Sequence, residues 1–230
     1  MNSNLLVVKS NSLIDARYKL NVQAQKLLLA CLGKVDSRPE TQPAKEITLT
    51  ASEFSELMGI DMKNAHRELY KAVDLLFKST ITLYEGGEET ELYWIQEKGK
   101  KLKGEGAIRL IWSDRVLKYI CQLKGDFTKY RLRNIASLQS AHSIRIYEIL
   151  MRFNSTGARV IHLDEFKSSL GIADKYPLFK DLNKRVIKPS IEELNLRSDL
   201  IIEYETIKNG RNVTALAFTF KQNKQMKMDI

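Results

Sequence analysis

The fold is decided by residues 158–220, ARVIHLDEFKSSLGIADKYPLFKDLNKRVIKPSIEELNLRSDLIIEYETIKNGRNVTALAFTF. The alternation in ARVIHL predicts a strand, and Asp164 is placed to cap a short helix, DEFKSSLG. A turn then leads to a long helix over about 176–195. Two alternating runs follow, DLIIEYE and VTALAFTF, and the Asn209-Gly210 pair between them is a strong hairpin signal. After an opening helix over 134–153, this order predicts a winged helix, whose second helix enters the DNA major groove beside the hairpin.

The first half of the chain shows the same order. An amphipathic helix over 20–33, with Asn21 as cap, is followed by the strand EITLT. Thr50 and Glu53 form a capping box for a short helix through Met58, and Asp61 can cap a longer helix through about Lys78. The runs STITLYE and TELYWIQ, joined by two glycines, predict a hairpin. The strand AIRLIWS lies beyond a Lys/Gly-rich stretch.

Three short matches support an internal duplication. Glu53-Phe54 and Gly59-Ile60 recur as Glu165-Phe166 and Gly171-Ile172, both 112 residues later (166 − 54 and 171 − 59). Tyr84-Glu85 recurs as Tyr204-Glu205 in the first hairpin strand. We therefore predict an α+β protein of two tandem winged-helix domains related by a pseudo-repeat, over 1–122 and 123–230.

Composition narrows the class of protein. The 230 residues carry 37 Lys and Arg against 28 Asp and Glu, a net charge of +9, which favours a polyanionic ligand such as nucleic acid. No apolar run is long enough to span a membrane, and the N-terminus has no signal-peptide pattern. Two cysteines make neither a disulfide scaffold nor a zinc site, so we expect a reduced, cytoplasmic protein without a metal or other cofactor.

The outward face of the second long helix is the strongest candidate interface. Its exposed positions carry basic or amide side chains, which can bond to base edges. The alternative interpretation is a helix face that is merely exposed to solvent. Lys175 and Tyr176, at the start of this helix, are expected to contact phosphate. The predicted helix-face set is Lys180, Asn183, Lys184, Arg185 and Lys188.

The other candidate DNA contacts are weaker. The first long helix carries a basic face interrupted by acids, for which a protein interface is the alternative: Lys63, Asn64, Arg67 and Lys71. Lys208 and Arg211 flank the second hairpin turn, and residues 98–103 form a mobile basic segment. We expect both segments to contact phosphate, and a solvated surface loop is the alternative. Arg131 and Arg133 lie on one face of an extended segment, where a phosphate contact and a surface ion pair are both open.

Catalytic motifs are missing from the sequence. There is no phosphate-binding GxxxxGK[ST] loop, and His66, His142 and His162 form no metal-binding spacing. His142 and Arg145 form an HxxR with Tyr176 downstream, a weak similarity to tyrosine recombinases. We predict no enzymatic activity and no catalytic residue.

Three segments resemble the initiator replication (Rep) protein family of theta-type plasmid initiators. The first carries Lys9, Asn11, Leu13, Ile14, Ala16, Tyr18, Leu20 and Gln25. The second carries Ser140, Ser143, Arg145, Tyr147, Glu148 and Leu150. The third is FKDLNKRVIKPSIEELN with Gly210-Arg211.

The resemblance implies two winged helices and a defined set of partners. Monomers would bind direct repeats of origin double-stranded DNA (iterons), help to open the origin, and recruit the host initiator ATPase and replicative helicase. Dimers would repress their own promoter at an inverted repeat, with the N-terminal domain carrying the dimer contact. The family's base-reading pair corresponds to Lys184 and Arg185. A winged-helix transcription regulator without an origin role is the alternative.

Overall fold

The computed structural model describes residues 5–101 and 103–223, which divide into two compact units. The first unit ends at Ser137 and the second begins at Leu138. The sequence placed this boundary at 122/123. It lies later because residues 127–131 form a strand that pairs antiparallel with residues 6–10 of the first unit, with Leu6 opposite Arg131 and Ser10 opposite Phe127. Residues 121–129, CQLKGDFTK, where the sequence predicts the boundary, therefore lie within the first unit.

The first unit contains six helices and seven strands within the described residues. The helices are α1 Asn11–Asp15, α2 Val22–Gly33, α3 Ala51–Met58, α4 Met62–Phe77, α5 Asp114–Leu117 and α6 Arg133–Ala136. The strands are β1 Leu6–Ser10, β2 Glu46–Thr50, β3 Thr80–Glu85, β4 Glu88–Tyr93, β5 Ile95–Lys101, β6 Ala107–Trp112 and β7 Phe127–Arg131. The helix caps agree with the sequence: Asn21 accepts from the Ala24 N–H, and Thr50 and Glu53 form the capping box.

The wing of the first unit is not the hairpin that the sequence indicated. β2 pairs with β6 and β6 with β5, so the three-stranded sheet of the winged helix has the order β2-β6-β5. The predicted hairpin, β3–β4, does form, but as a separate two-stranded sheet joined to Arg17 by a bridge at Thr82. The predicted mobile segment at 98–103 is therefore wrong for residues 98–101, which belong to β5.

The second unit has the same arrangement. Its helices are α7 Ala141–Met151, α8 Leu163–Ser169, α9 Phe179–Leu182 and α10 Lys188–Arg197, with a π-helical turn over Asn183–Ile187 between the last two. Its strands are β8 Ala158–His162, β9 Leu200–Asn209 and β10 Asn212–Gln222. The sheet order β8-β10-β9 matches β2-β6-β5 strand for strand.

Three local predictions in the second unit are corrected. The opening helix over 134–153 is broken before Ser140, whose side chain accepts from the Ser143 N–H and starts α7 afresh. His162, not Asp164, is the N-cap of α8, and Asp164 lies in its first turn. The long helix begins at Phe179 rather than near Tyr176, because Tyr176 has a left-handed backbone (φ 52°) that a helix cannot include.

The internal repeat is confirmed in the helix-turn-helix and not in the hairpins. Phe54 and Phe166 are fully buried in α3 and α8, and the glycines that end these turns, Gly59 and Gly171, both adopt φ near +60°. These positions need the same core contact and the same left-handed turn. The Tyr84/Tyr204 match is wrong, since β3 lies outside the winged-helix sheet and β5 is the counterpart of β9.

Candidate nucleic-acid interface

The second long helix presents its cations on the face opposite its core contacts. Leu182, Val186, Ile187 and Leu194 are buried with 1 % or less of their surface exposed. The side chains that remain exposed on the other face are Lys180, Lys184, Arg185 and Lys188. The alternation of core and solvent faces is what an amphipathic helix requires. Four of the five predicted helix-face residues therefore share one exposed surface.

Asn183 is the exception on this helix. It is half-buried, and its Oδ1 accepts a hydrogen bond of 2.6 Å from the Tyr204 hydroxyl on β9. Burial raises the pKa of Tyr204 above its usual value near 10, so the hydroxyl keeps its proton and can donate. An adenine contact would need both the oxygen and the NH₂ of the amide. The Asn183 oxygen that would contact adenine is therefore already hydrogen-bonded within the unit.

Lys175 and Tyr176 lie before the helix, in the turn after α8. Lys175 is exposed, and the Lys175 N–H donates to Ile172 C=O at 2.9 Å. Tyr176 is half-buried. The helix starts only at Phe179, so these two residues do not form its first turn as the sequence predicted.

The second wing closes with the two-residue loop Gly210–Arg211 between β9 and β10. Gly210 has φ +60°, the left-handed conformation that this tight turn requires. Lys208 and Arg211 are exposed beside the turn. The hairpin prediction is confirmed, and both wing cations point to solvent where a phosphate could reach them.

The cations proposed to meet DNA in the second unit make few ion pairs with described residues. Within the described part of the chain, Lys180, Lys184 and Arg185 have neither an ion pair nor a side-chain hydrogen bond, and Lys208 and Arg211 are likewise unpaired. Lys188 approaches Glu192 at 3.9 Å, with both side chains about two-thirds exposed. Such an exposed pair contributes little, so this cation also remains available to an anion.

On the equivalent face of α4 in the first unit, Arg67 is held by neighbouring side chains, whereas Lys63 makes an exposed pair that contributes little. Arg67 donates to Asn64 Oδ1 at 2.9 Å and to Glu68 Oε1 at 3.2 Å, and Lys63 lies 3.2 Å from Asp61. Lys71 is exposed and has no ion pair to a described residue. Binding a phosphate here would first require Arg67 to give up existing bonds. The first helix therefore offers a weaker cationic surface, as the interruption by acids indicated.

The lysines of β5 are held against α4. Lys98 and Lys100 both donate to the Asp74 carboxylate, the second at 2.5 Å, and they also lie over the rings of Phe77 and Tyr70. Burial raises the pKa of Asp74, but the two lysine hydrogen bonds outweigh it and hold the pKa below its usual 3.8. These lysines fasten the wing strand to the helix. They are not the mobile cations that the composition indicated.

Arg131 and Arg133 do not share one extended face. Arg131 is the exposed last residue of β7, whereas Arg133 is half-buried and begins α6. The change from strand to helix at Leu132 turns the two side chains apart. A joint phosphate contact by this pair is not supported by the arrangement.

The recombinase-like HxxR is a core element. Arg145 and Glu148 are each 1 % exposed and form an ion pair at 2.8 Å, and the guanidinium also donates to the Ser169 C=O at 3.2 and 3.3 Å. Tyr147, two residues after Arg145, donates to Asp199 at 2.9 Å. The Arg145 side chain is thus committed to the interior of the unit. Arg145, Tyr147 and Glu148 thus hold α7 in place, and their buried side chains do not face a DNA backbone.

Residues 5–101 and 103–223 contain no group of three or more His, Cys, Asp or Glu side chains placed to hold a metal ion. Among the helices of the same residues, none is long and apolar enough to cross a membrane.

Two residues that shape this interface, Tyr204 and Pro189, were not predicted from the sequence. Tyr204 stands in an alternating strand pattern that gives no sign of its bond to Asn183. Pro189 carried a local signal, because a proline inside a helix pattern interrupts the hydrogen-bond ladder, and the structure has a π turn directly before it.

Comparisons with known proteins agree in both units. A family model described as "Initiator Replication protein, WH1" matches residues 6–151, and one described as "Initiator Rep protein, WH2" matches residues 162–220. A "Replication initiation protein" of Escherichia coli is 32 % identical over 235 residues, covering 97 % of this chain and 72 % of that protein. An "Uncharacterized 27.6 kDa protein" of Escherichia coli is 23 % identical, covering 92 % and 93 %.

A solved structure has the same fold. The "Crystal structure of Pi initiator protein in complex with iteron DNA" superposes with a TM-score of 0.83 and 23 % sequence identity, covering 97 % of this chain and all of that one. The predicted fold of two winged helices is confirmed by this likeness and by the two family matches.

Proposed function

Because the chain belongs to the initiator replication protein family, we propose that it initiates replication by sequence-specific binding to repeated sites (iterons) in origin double-stranded DNA. The role needs no catalytic step. Binding energy from phosphate contacts and base contacts is sufficient to mark an origin and to favour its opening.

The observation that carries this proposal is the set of exposed, unpaired cations on the second unit's helix and wing. Arg185 and Lys184 occupy the part of a winged helix that enters a major groove, where such side chains bond to guanine O6 and N7. Because neither has an ion pair among the described residues, binding does not have to break one first. Lys208 and Arg211 on the wing would add phosphate contacts without sequence preference.

The first unit is proposed as an auxiliary DNA contact and as the site of dimerisation. Its α4 face carries Lys71 and, after release from Asn64 and Glu68, Arg67. If both units place a helix in successive major grooves, one monomer covers about 20 base pairs, since grooves on one face repeat about every 10 base pairs. If only the second unit binds, protection is limited to about 10 base pairs.

From the family we also propose the wider partners. Monomers would recruit a host initiator ATPase and the replicative helicase. Dimers would bind a two-fold symmetric operator and repress the chain's own promoter, because protein symmetry is mirrored in DNA symmetry.

A replication assay tests the proposal. DNA flanking the coding sequence is cloned on a plasmid that cannot otherwise replicate, and the chain is supplied in trans, as wild type or as Arg185→Ala. We expect replication with the wild-type chain, dependent on direct repeats in the cloned DNA and lost with the variant. Binding confined to a lone inverted repeat, with no replication, would instead support a transcription regulator.

A further inference from the structure

Pro189 explains why the recognition helix of the second unit contains a π turn. In a regular α-helix the Arg185 C=O would accept from the N–H of residue 189, but proline has no N–H and its ring clashes with that carbonyl. The structure shows the wider turn instead, with the Lys188 N–H donating to the Asn183 C=O five residues back. Pro189 itself stands at the start of α10, where a missing N–H is tolerated.

The π turn contains the two side chains assigned to base readout. It spans residues 183–187, so Lys184 and Arg185 leave the helix from within it. Compared with an uninterrupted α-helix, one added residue rotates the preceding segment by about 100° relative to the following one. The direction in which these two cations point therefore depends on keeping the turn.

The helix is tied to the wing strand at the first residue of the turn and again eight residues beyond its last residue. At the N-terminal side the Tyr204 hydroxyl on β9 donates to Asn183 Oδ1 at 2.6 Å, and the Tyr204 ring lies against Phe218, with centroids 6.0 Å apart. At the C-terminal side Asn195 of α10 exchanges two hydrogen bonds with the backbone of Ile202, at 2.7 and 2.9 Å. The wing strand thus fixes the helix on each side of the turn.

We propose that Pro189 and Tyr204 are positioning residues for DNA recognition: Pro189 excludes the regular helix, Tyr204 anchors the π turn, and together they set the direction of Lys184 and Arg185. The inference rests on the proposed function, because it assumes that these cations read bases. Neither Pro189 nor Tyr204 needs to touch DNA for this role.

The test separates specificity from general binding. The wild-type chain selects duplexes from a library randomised over about 20 base pairs. Affinity for the selected duplex and for a scrambled duplex of equal composition is then measured for Pro189→Ala, Tyr204→Phe and the double variant. Matched controls are Pro43→Ala in an exposed loop and Tyr93→Phe, whose side chain is 60 % exposed. Thermal melting by circular dichroism establishes that each variant is folded.

We expect the double variant to bind the selected duplex about 5- to 150-fold more weakly, the range for a misplaced bidentate base contact. Binding to the scrambled duplex and the salt dependence should stay at wild-type values, because the number of cations is unchanged. Pro189→Ala also restores a backbone N–H at position 189, and this N–H should be protected from hydrogen exchange by bonding to the Arg185 C=O. A wild-type ratio of selected to scrambled affinity in the double variant, or an unprotected N–H at position 189, would overturn the inference. If the wild-type chain selects no sequence, the proposed function itself fails.

Discussion

Replacing Glu148 with Gln should destabilise the second unit while leaving the first unit intact. The change keeps the shape of the side chain but removes the charge that faces the Arg145 guanidinium, and both side chains are buried, at 2 % and 1 % exposure. Removing one partner of a buried ion pair costs about 3–5 kcal/mol. Since domains are stable by only about 5–15 kcal/mol, this is a large fraction of the total.

The double substitution Arg145→Met with Glu148→Leu is the matched control. It removes both charges of the pair, so the buried-charge cost falls, and the loss of the guanidinium bonds to the Ser169 C=O adds about 1–3 kcal/mol. The double variant should therefore be more stable than Glu148→Gln alone.

Two spectroscopic probes distinguish the units. Trp94 and Trp112 are the two tryptophans of the chain, and both are fully buried in the first unit, so their fluorescence reports only that unit. Far-UV circular dichroism also follows the second unit. In urea, Glu148→Gln should lower the midpoint of that unit's dichroism transition by about 2–3 M, taking a slope near 1.5 kcal/mol per M. The midpoint of the fluorescence transition should stay unchanged. An unchanged dichroism midpoint, or a double variant less stable than the single one, would show that the buried Arg145–Glu148 pair does not stabilise the unit in this way.

Three further outcomes follow from local geometry and charge. Gly157→Ala should lower the free energy of unfolding by about 1–3 kcal/mol, more than the control Gly210→Ala. Both glycines have positive φ, but only a Cβ at position 157 would lie 2.8 Å from the Phe220 carbonyl oxygen. Equal urea midpoints for the two variants would contradict this. Burial, aided by Lys175, lowers the pKa of His142 below 6.5, so the unfolded chain binds more protons and the free energy of unfolding should fall as pH drops below about 6.5. A His142→Gln variant should show a smaller dependence of this free energy on pH. An NMR titration that gives a pKa above 6.5 for His142 would show the sign to be wrong. Burial raises the pKa of Cys31 to about 12 and of Cys121 to about 11, so a disulfide reagent at neutral pH should label both thiols only as fast as the chain unfolds, and rapid labelling of the native protein would disprove it.

The helix-turn-helix elements were predictable because their signals are local. The Thr50–Glu53 capping box, the Asp61 cap and the glycines at 59 and 171 each act within a few residues, and each lies where the sequence placed it. The capping residues satisfy backbone groups that every helix leaves open at its ends.

The elements that the sequence missed depend on distant contacts. β5 has the composition of a solvated segment, and it is a strand because β6 pairs with it and Asp74 on α4 neutralises two of its lysines. β7 joins the first unit through pairing with β1, a contact across more than a hundred residues that no local pattern encodes. In the candidate site, the exposed cations could be predicted from periodicity, whereas the Tyr204–Asn183 bond depends on how a strand meets a helix.

We propose that the second unit's helix reads bases through Lys184 and Arg185. The test is the affinity of Lys184→Ala, Arg185→Ala and Lys208→Ala for a selected duplex and a scrambled one, measured at several salt concentrations. We predict that each helix variant loses about 1–3 kcal/mol on the selected duplex and relaxes preference at one base position, whereas Lys208→Ala weakens both duplexes equally and lowers the salt slope by about one. Helix variants that bind the selected duplex as tightly as the wild-type chain, or that weaken both duplexes to the same extent, would contradict the account.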